Sequence, residues 1–337
     1  MSAHPTSQKR RLRIWQQNTN RSLIAQLDLL HSITPSLYSV VAIQEPHIDF
    51  LGNSRATSHW HAIYLPKHRD DPKSTCSLLL ISKRLITTNA WTQIPIDSPD
   101  ITAVKLDSDI GAIHLYNIYN DGVHSANLAR LDAHLQMFTT NWAENHNLKM
   151  IWVGDFNRHH PLWDKSRNSH LFSPANLSTA QPLLDLLAAH DMTMVLPKDI
   201  PTLEVLNTKN YMRPDNVFCS MELIGKFVSC NTNPSARPLR MDHLPIISVL
   251  DTELPDSSPT PRPNFRATDW GAFAEHLKVL LHAAPLTEHI DMPEVLNTAV
   301  ANLTSAIQAT IEQVVLKYRP LPFTKRWWTP ELMLWNP

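Results

Sequence analysis

The sequence is short of glycine, cysteine and net charge, and each shortage excludes a class of protein. Six glycines occur among 337 residues, and none forms the glycine-rich loop with which common nucleotide-binding folds hold phosphate. The three cysteines, Cys76, Cys219 and Cys230, are too widely spaced for a disulfide framework or a paired-thiolate zinc site. A formal net charge of −1 lacks the basic excess usual in nucleic-acid-binding domains. Any phosphate-binding surface must therefore be local.

Long apolar runs are also lacking. No stretch approaches the length that spans a bilayer, and Met1 to Arg13 is polar and basic, without the apolar centre of a secretory signal. Hydrophobic residues make up 43% of the chain and charged residues 18%, which is enough apolar surface to offset the entropy of folding. We therefore expect a folded, soluble, intracellular protein with no membrane partner.

Prolines, in contrast, are abundant, and they indicate how the chain is divided. Four of the 26 prolines lie within residues 253–264, where they block a helix or a central strand. We predict a proline-rich linker over 252–266, between a domain at 10–251 and a helical extension at 267–337. Residues 1–9 are predicted to be disordered.

Apolar stretches of strand length alternate with helical periodicity in the first 250 residues. The predicted strands are Leu12–Gln17, Ser39–Ile43, Cys76–Ser82, Ile101–Leu106, Ala112–Ile118, Met150–Val153 and Ile246–Leu250. The predicted helices are Ser22–Ser32, Ala126–Glu144 and Ala175–His190, and beyond the linker Asp269–Ala283 and Pro293–Lys317. Strands and helices that alternate in this way predict sheets covered by helices.

The stretch from Met150 to Asn157 is the most informative for chemistry. An apolar strand ends there in a glycine, a carboxylate and an amide. Strand alternation places Asp155 and Asn157 on one side, at the end of a strand, where ligand clefts form. Asp155 could take a proton from water while Asn157 orients that water, although an ordinary turn gives the same tripeptide.

Four other apolar segments also end in polar groups suited to metal-assisted phosphate chemistry. These groups are Asn18, Glu45, Tyr119 and the pair Asp242-His243. Magnesium prefers oxygen ligands and usually takes one or two carboxylates, which Glu45 could supply with Asn18 or Asp242. Taken singly, each residue also fits a cap, a loop, a half-buried aromatic or a core histidine. The joint pattern favours chemistry.

These motifs, taken in order, resemble the endonuclease/exonuclease/phosphatase superfamily. They are Asn18, Gln44-Glu45-Pro46, Tyr119, Gly154-Asp155-Phe156-Asn157, Arg213-Pro214-Asp215 and Asp242-His243-Leu244-Pro245. The stretches Asn117 to Asp121, Asn157 to Trp163 and Arg326 to Glu331 further resemble non-LTR retrotransposon proteins, especially fungal ones. The first resemblance covers about residues 10–251. The second continues to the end, as the stretch that precedes the reverse transcriptase in such proteins.

The resemblance implies a fold and a set of roles. The fold is a four-layer α/β sandwich, with two packed mixed sheets, outer helices and an active site at one edge. Metal ligands would be Glu45, Asn18 and Asp242, binding Mg²⁺, with Mn²⁺ as a substitute. The catalytic groups would be the base Asp155, Asn157 for positioning, His243 paired with Asp215, and Tyr119. Substrate contacts would come from Asn120, Arg158, His160 and Arg240.

The function that follows from the resemblance is DNA nicking in the nucleus, leaving a 3′-hydroxyl that primes reverse transcription. The polymerase itself would be a partner domain absent from this chain, because no aromatic-x-Asp-Asp pattern occurs and the only Asp-Asp pair, Asp70-Asp71, lies in a polar loop. Two alternatives stay open. The same chemistry could serve a lipid, inositol phosphate or RNA substrate, since surface loops set substrate choice. The chain could also be an inactive remnant that binds DNA or protein.

Overall fold

The computed structural model describes residues 11–139, 148–239, 241–254, 262–283 and 292–318. The chain divides into two units, Met1–Asp256 and Ser257–Pro337. The larger unit contains two six-stranded sheets and the predicted catalytic residues, and the smaller unit contains two long helices. The linker bounds stay predictions, because residues 255–261 lie outside the described ranges.

The elements of the larger unit interleave along the chain. Its strands are β1 (Leu12–Asn18), β2 (Val40–Gln44), β3 (Trp60–Tyr64), β4 (Ser77–Ser82), β5 (Trp91–Ile94), β6 (Ile101–Ser108), β7 (Gly111–Tyr119), β8 (Lys149–Asp155), β9 (Met192–Met194), β10 (Leu203–Glu204), β11 (Tyr211–Met212), β12 (Asp215–Ser220), β13 (Phe227–Thr232) and β14 (Ile246–Leu250). Its helices are α1 (Leu23–Ser32), α2 (Ala126–Thr139), α3 (Pro174–Ala189) and the short α4 (Met221–Ile224).

Both large sheets are mixed. The first sheet has the order β13-β14-β1-β2-β4-β3, and the second has the order β5-β6-β7-β8-β12-β9. Strand β1 runs parallel to β2, and β7 runs parallel to β8, while the other neighbours are antiparallel. Strands β10 and β11 form a separate hairpin.

Three buried clusters explain why the sheets and helices stack in four layers. Residues such as Ile14 on the first sheet and Leu115 on the second fill the space between the sheets. Leu29 of α1 packs on the outer face of the first sheet. Leu131 of α2 and Leu183 of α3 pack on the outer face of the second. The predicted four-layer sandwich is therefore confirmed.

The space between the sheets changes from apolar to polar toward one end. Five almost fully buried polar residues lie there: Gln16, Gln44, Ser77, Thr102 and Asn117. Gln16 Nε2 donates to the Gly154 carbonyl at 2.9 Å, and Asn117 Nδ2 donates to the carbonyls of Ile43 at 3.0 Å and Leu78 at 2.9 Å. These hydrogen bonds join the two sheets next to the strand ends that carry the predicted site.

The predicted helix and strand positions agree with the structure within a few residues, with some omissions. Helix α1 begins after Ser22, whose hydroxyl accepts from Ala25 N at 3.2 Å. Strands β3, β5, β9, β10, β11, β12 and β13 are absent from the predicted set. Several of them are short or partly exposed, so they lack a continuous apolar signal. The end of the helix predicted over Ala126–Glu144 lies beyond the described residues.

The smaller unit contains α5 (Trp270–Ala283), α6 (Pro293–Val314) and a short antiparallel pair, β15 (Arg262–Pro263) with β16 (Lys317–Tyr318). Its two helices agree with those predicted. No helix in the described part of the chain is long and apolar enough to cross a membrane. The predictions for residues 1–9, and the motif from Arg326 to Glu331, fall outside the described ranges.

Candidate active site

Strand ends from both sheets bring the predicted catalytic residues to one edge. In the second sheet, Asp155 is the register partner of Tyr119 on β7 and of Asp215 on β12. In the first sheet, Asn18 pairs with Gln44, which directly precedes Glu45. An inter-sheet hydrogen bond from Asn18 Nδ2 to Asp155 Oδ2, at 2.9 Å, joins the two groups.

The centre of the site is a buried network of two carboxylates and an imidazole. Nδ1 of His243 donates to Asp215 Oδ2 at 2.9 Å, and its Nε2 faces Asp155 Oδ2 at 3.8 Å. The second distance is too long for a direct hydrogen bond. The two atoms can therefore both contact a third group, such as a phosphoryl oxygen or a water molecule.

His243 is held in place by backbone contacts of the loop that carries it. It forms an isolated bridge with Leu203, and Leu244 N donates to the Thr202 carbonyl at 2.7 Å. The Thr202 hydroxyl also accepts from Asp215 N at 3.1 Å. One residue thus anchors both members of the His243–Asp215 pair.

The charge state of His243 follows from its neighbours. Burial alone would lower the pKa of His243, but the charge and hydrogen bond of Asp215, together with the charge of Asp155, raise it. The imidazole is therefore an imidazolium at neutral pH, with Nε2–H available as a donor. This is the protonation state expected from its predicted role.

The pKa of Asp155 is shifted in the direction that suits a base. Burial raises it and the charge of Asp215 adds to this effect, while His243 and the Asn18 hydrogen bond lower it. The other oxygen, Oδ1, accepts from the backbone N–H of Asn157 at 3.1 Å. A general base works best with a pKa near the operating pH, which a raised carboxyl approaches.

The same three side chains lie close enough together to hold a metal ion, since one ligand atom of each of Asp155, Asp215 and His243 falls within 4.8 Å of the others. A protonated imidazole cannot ligate a metal, and Nδ1 is committed to Asp215. We therefore interpret this cluster as an ion-pair network.

Glu45 supplies the remaining carboxylate. It is half-buried, at the end of β2, and has a left-handed backbone with φ of 46°. The pKa of Tyr119 is raised well above its usual range by burial, by a hydrogen bond to Glu45 and by the charges of Glu45 and Asp155. Tyr119, the register partner of Asp155, is thus close to both carboxylates. The donors here are carboxylate and amide oxygens, which fit a hard divalent cation.

Asn18 and Asp242, the other predicted metal ligands, are partly committed to protein contacts. Asn18 Oδ1 accepts from Asn20 N at 2.8 Å. Asp242 Oδ1 accepts from His243 N at 3.1 Å. Each oxygen keeps further acceptor capacity, so their roles stay predictions.

Asn157 lies beside Asp155 in a left-handed conformation, with φ of 49°. Its Nδ2 donates to the Asn120 carbonyl at 2.9 Å, which fixes the side chain at the mouth of the site. A non-glycine residue with positive φ costs roughly 1–3 kcal/mol and is frequent at functional sites. Glu45 and Asn157 both have this geometry.

Two of the residues predicted to contact substrate, Arg158 and Asn120, are buried and bound to protein groups. Arg158 is 1% exposed, and its guanidinium donates to the carbonyls of Asp121, Asn157 and His124 and to the Ser125 hydroxyl. Its role is to fasten the loop after β7 to the loop after β8. Asn120 is also fully buried and donates to the Asp121 and Phe156 carbonyls. No local sequence pattern predicts this burial, because it depends on contacts with other loops.

The other two predicted substrate contacts, His160 and Arg240, stay predictions. His160 is half-buried, its ring lies 5.3 Å from that of Trp163, and its Nδ1 accepts from Leu162 N at 3.2 Å. Arg240 lies outside the described residues. Sequence reasoning missed Gln16, although the alternation from Ile14 through Gln16 to Asn18 already indicates an inward-facing amide.

Comparison with known proteins finds endonucleases of similar fold. A family profile described as endonuclease-reverse transcriptase matches residues 113–247. The endonuclease domain of TRAS1, a telomere-specific non-LTR retrotransposon, is similar with a TM-score of 0.53 and 14% identity, covering 71% of this chain and 98% of that one. A search of curated proteins finds no match.

Two further solved structures have similar TM-scores. The AP endonuclease LMAP from Leishmania major has a TM-score of 0.56 and 13% identity, covering 73% of this chain and 89% of that one. The APE2 catalytic domain from Xenopus laevis has a TM-score of 0.53 and 14% identity, covering 72% and 93%. At such identities the likeness shows the fold, and the larger unit has the endonuclease/exonuclease/phosphatase fold.

Proposed function

We propose that this chain is a divalent-metal-dependent phosphodiesterase of the endonuclease/exonuclease/phosphatase superfamily that nicks DNA and leaves a 3′-hydroxyl. The observation that carries the proposal is the buried Asp155–His243–Asp215 network beside the Glu45–Tyr119 pair. Perturbed pKa values that have a specific charge partner are typical of functional sites. A histidine buried between two carboxylates costs stability, because the charged groups lose their hydration, so a purely structural role does not explain it.

The reaction assigned to the site is attack of water on a phosphodiester. Asp155 accepts a proton from the water, whose oxygen then bonds to phosphorus as the bond to the 3′ oxygen breaks. The products are a 5′-phosphate and a 3′-hydroxyl, and the departing oxygen takes its proton from solvent. Asn157 orients the water from beside Asp155.

His243 and Asp215 stabilise the charge that develops during attack. The Nε2–H of His243 donates to a non-bridging phosphoryl oxygen, while Asp215 holds Nδ1 and keeps the ring protonated. The residues that would hold the cation are Glu45, with Asn18 and Asp242 in support. Magnesium bound there would withdraw charge from the phosphoryl oxygens.

DNA is the substrate class that the comparisons support best. The matched family profile is described as endonuclease-reverse transcriptase, and the TRAS1 structure is the endonuclease domain of a non-LTR retrotransposon. We further propose that the 3′-hydroxyl primes reverse transcription by a polymerase domain outside this chain, and that the protein acts in the nucleus.

A plasmid assay tests the proposal. Purified protein with MgCl₂ should convert supercoiled plasmid to the nicked form, EDTA should stop the reaction, and a DNA polymerase should extend the nick. Glu45→Gln should reduce the rate by about 10²-fold or more, because charge stabilisation in the transition state is lost. Glu222→Gln is the matched control, since Glu222 is exposed beyond the far end of β12.

Each other outcome identifies a different function. Equal nicking by the two variants would contradict the assignment of Glu45. Release of phosphate from inositol phosphates or lipids without nicking would indicate the alternative substrates. Binding of DNA without metal-dependent cleavage would indicate an inactive remnant.

A further inference from the structure

The turn between β1 and α1 carries an exposed arginine next to Glu45. Arg21 N donates to the Glu45 carbonyl at 2.8 Å, and Thr19 N donates to the Gln44 carbonyl at 2.9 Å. Asn20 and Arg21 are both left-handed, with φ of 46° and 53°. The turn is therefore fixed to the strand end that carries the predicted metal ligand.

The guanidinium of Arg21 is held by neutral groups. One nitrogen donates to the Lys73 carbonyl at 3.3 Å, and another donates to Cys76 Sγ at 3.1 Å. Cys76 is a neutral thiol, because burial raises its pKa to about 12. These two contacts orient the side chain without neutralising it, and use only two of the N–H groups that a guanidinium offers.

The charge of Arg21 lies close to the predicted active site. Arg21 interacts electrostatically with both Glu45 and Tyr119. The residue is exposed, so its guanidinium is accessible to a ligand in solvent next to Glu45. A fixed guanidinium with spare donors is well suited to bind a phosphate, often through two parallel hydrogen bonds.

We propose that Arg21 binds a backbone phosphate of the DNA next to the scissile one, on the Glu45 side of the cleft. The inference rests on the proposed function. It also explains how a chain with a net charge of −1 can engage a polyanion, since the positive charge is needed only at the cleft. The contact carries no base information and positions the duplex.

Salt dependence measures such a contact directly. Each phosphate neutralised in B-DNA contributes a slope of roughly −0.9 in a plot of log K against log salt concentration. We therefore expect Arg21→Gln to reduce the slope by about one unit, and Arg21→Lys to keep it, because lysine retains the charge. Fluorescence anisotropy with a labelled 20-base-pair duplex, between about 50 and 200 mM KCl, gives this slope.

The measurement uses the full chain with Asp155→Asn, at fixed MgCl₂, so that the duplex stays intact. Arg84→Gln is the matched control, because Arg84 is exposed and follows Ser82, at the end of β4 remote from Gln44. Thermal unfolding of each variant confirms that it is folded. In the active protein, Arg21→Gln should raise KM while changing kcat little.

Three results would overturn the proposal in distinguishable ways. A slope for Arg21→Gln equal to that for Arg84→Gln, with the duplex bound, would remove the phosphate contact and leave the proposed function standing. No binding of duplex at any salt concentration by the Asp155→Asn protein would remove both. Equal loss of slope in Arg21→Lys and Arg21→Gln would show that the effect comes from the turn and not from the charge, and would also overturn the contact.

Discussion

Replacing Gly154 with alanine is the substitution whose cost follows most directly from the backbone. Gly154 precedes Asp155 and has φ of +156°, a conformation that side chains with a Cβ rarely adopt. An added Cβ would lie 1.9 Å from the Ile118 carbonyl oxygen and 2.8 Å from its carbon. Ile118 is the register partner of Gly154 in the parallel β7–β8 pair, so that ladder would have to open.

The expected loss of stability combines two effects. Forcing extra volume into a packed site typically costs about 1–3 kcal/mol, and an unfavourable backbone conformation adds about 1–3 kcal/mol. The sum is about 4 kcal/mol, which lowers the melting temperature of a domain of this size by roughly 8–16 °C. Nicking should fall as well, because the Gly154 carbonyl accepts from Gln16 and the chain leads directly into Asp155.

Thermal unfolding of Gly154→Ala beside Gly225→Ala checks this reasoning. Gly225 has φ of −71° and an added Cβ there meets nothing within 4 Å. Its substitution should change stability by less than about 0.5 kcal/mol. Equal melting temperatures for the two variants would show that the β7–β8 ladder tolerates a Cβ next to Asp155, and would refute this prediction.

Three further predictions concern buried groups. Arg158→Met should lower the free energy of unfolding in urea by about 3 kcal/mol or more, because four acceptors lose their charged donor. A decrease below about 1 kcal/mol would contradict the structural role of Arg158. Burial, together with the charges of Lys105 and His134, lowers the pKa of His114 to about 4. The neutral, buried imidazole should therefore contribute its full stability above pH 6.5, the pKa expected in the unfolded chain. This contribution should fall as the pH drops toward 4. The urea midpoint should therefore fall more between pH 7.5 and 5 in the wild type than in His114→Gln, and identical falls would disprove the effect. Burial raises the thiol pKa values of Cys76 and Cys219 to about 12 and that of Cys230 to about 11. A thiol reagent at pH 8 should therefore label the native protein slowly and should label all three cysteines after denaturation. Rapid stoichiometric labelling of the native protein would contradict the burial of these thiols.

Much of the layered fold could be predicted because the central strands are apolar on both faces. Ile151 and Val153 point between the sheets while Met150 and Trp152 point toward the helices, so β8 is a continuous apolar run. Partly exposed β13 lacks such a signal, and only its pairing with β14 defines it.

The sequence predicts which strand ends carry the site residues, but it does not predict which of these side chains are neighbours. Asp155 and Asp215 are 60 positions apart in numbering, and the register of β8 with β12 is what makes them neighbours. The burial of Arg158 depends on carbonyls of a distant loop, which no local pattern encodes. Arg21 and Glu45 are neighbours in space but follow different strands, so no local pattern connects them.

The most direct test of the account is single-turnover cleavage of end-labelled duplex DNA by the wild type and Asp155→Asn in MgCl₂. If the Asp155 carboxylate accepts the proton of the attacking water, the amide should lower the rate by about 10²-fold or more while the melting temperature stays close to that of the wild type. Asp28→Asn, an exposed position on α1, should leave the rate unchanged. Undiminished cleavage by folded Asp155→Asn would contradict the central claim.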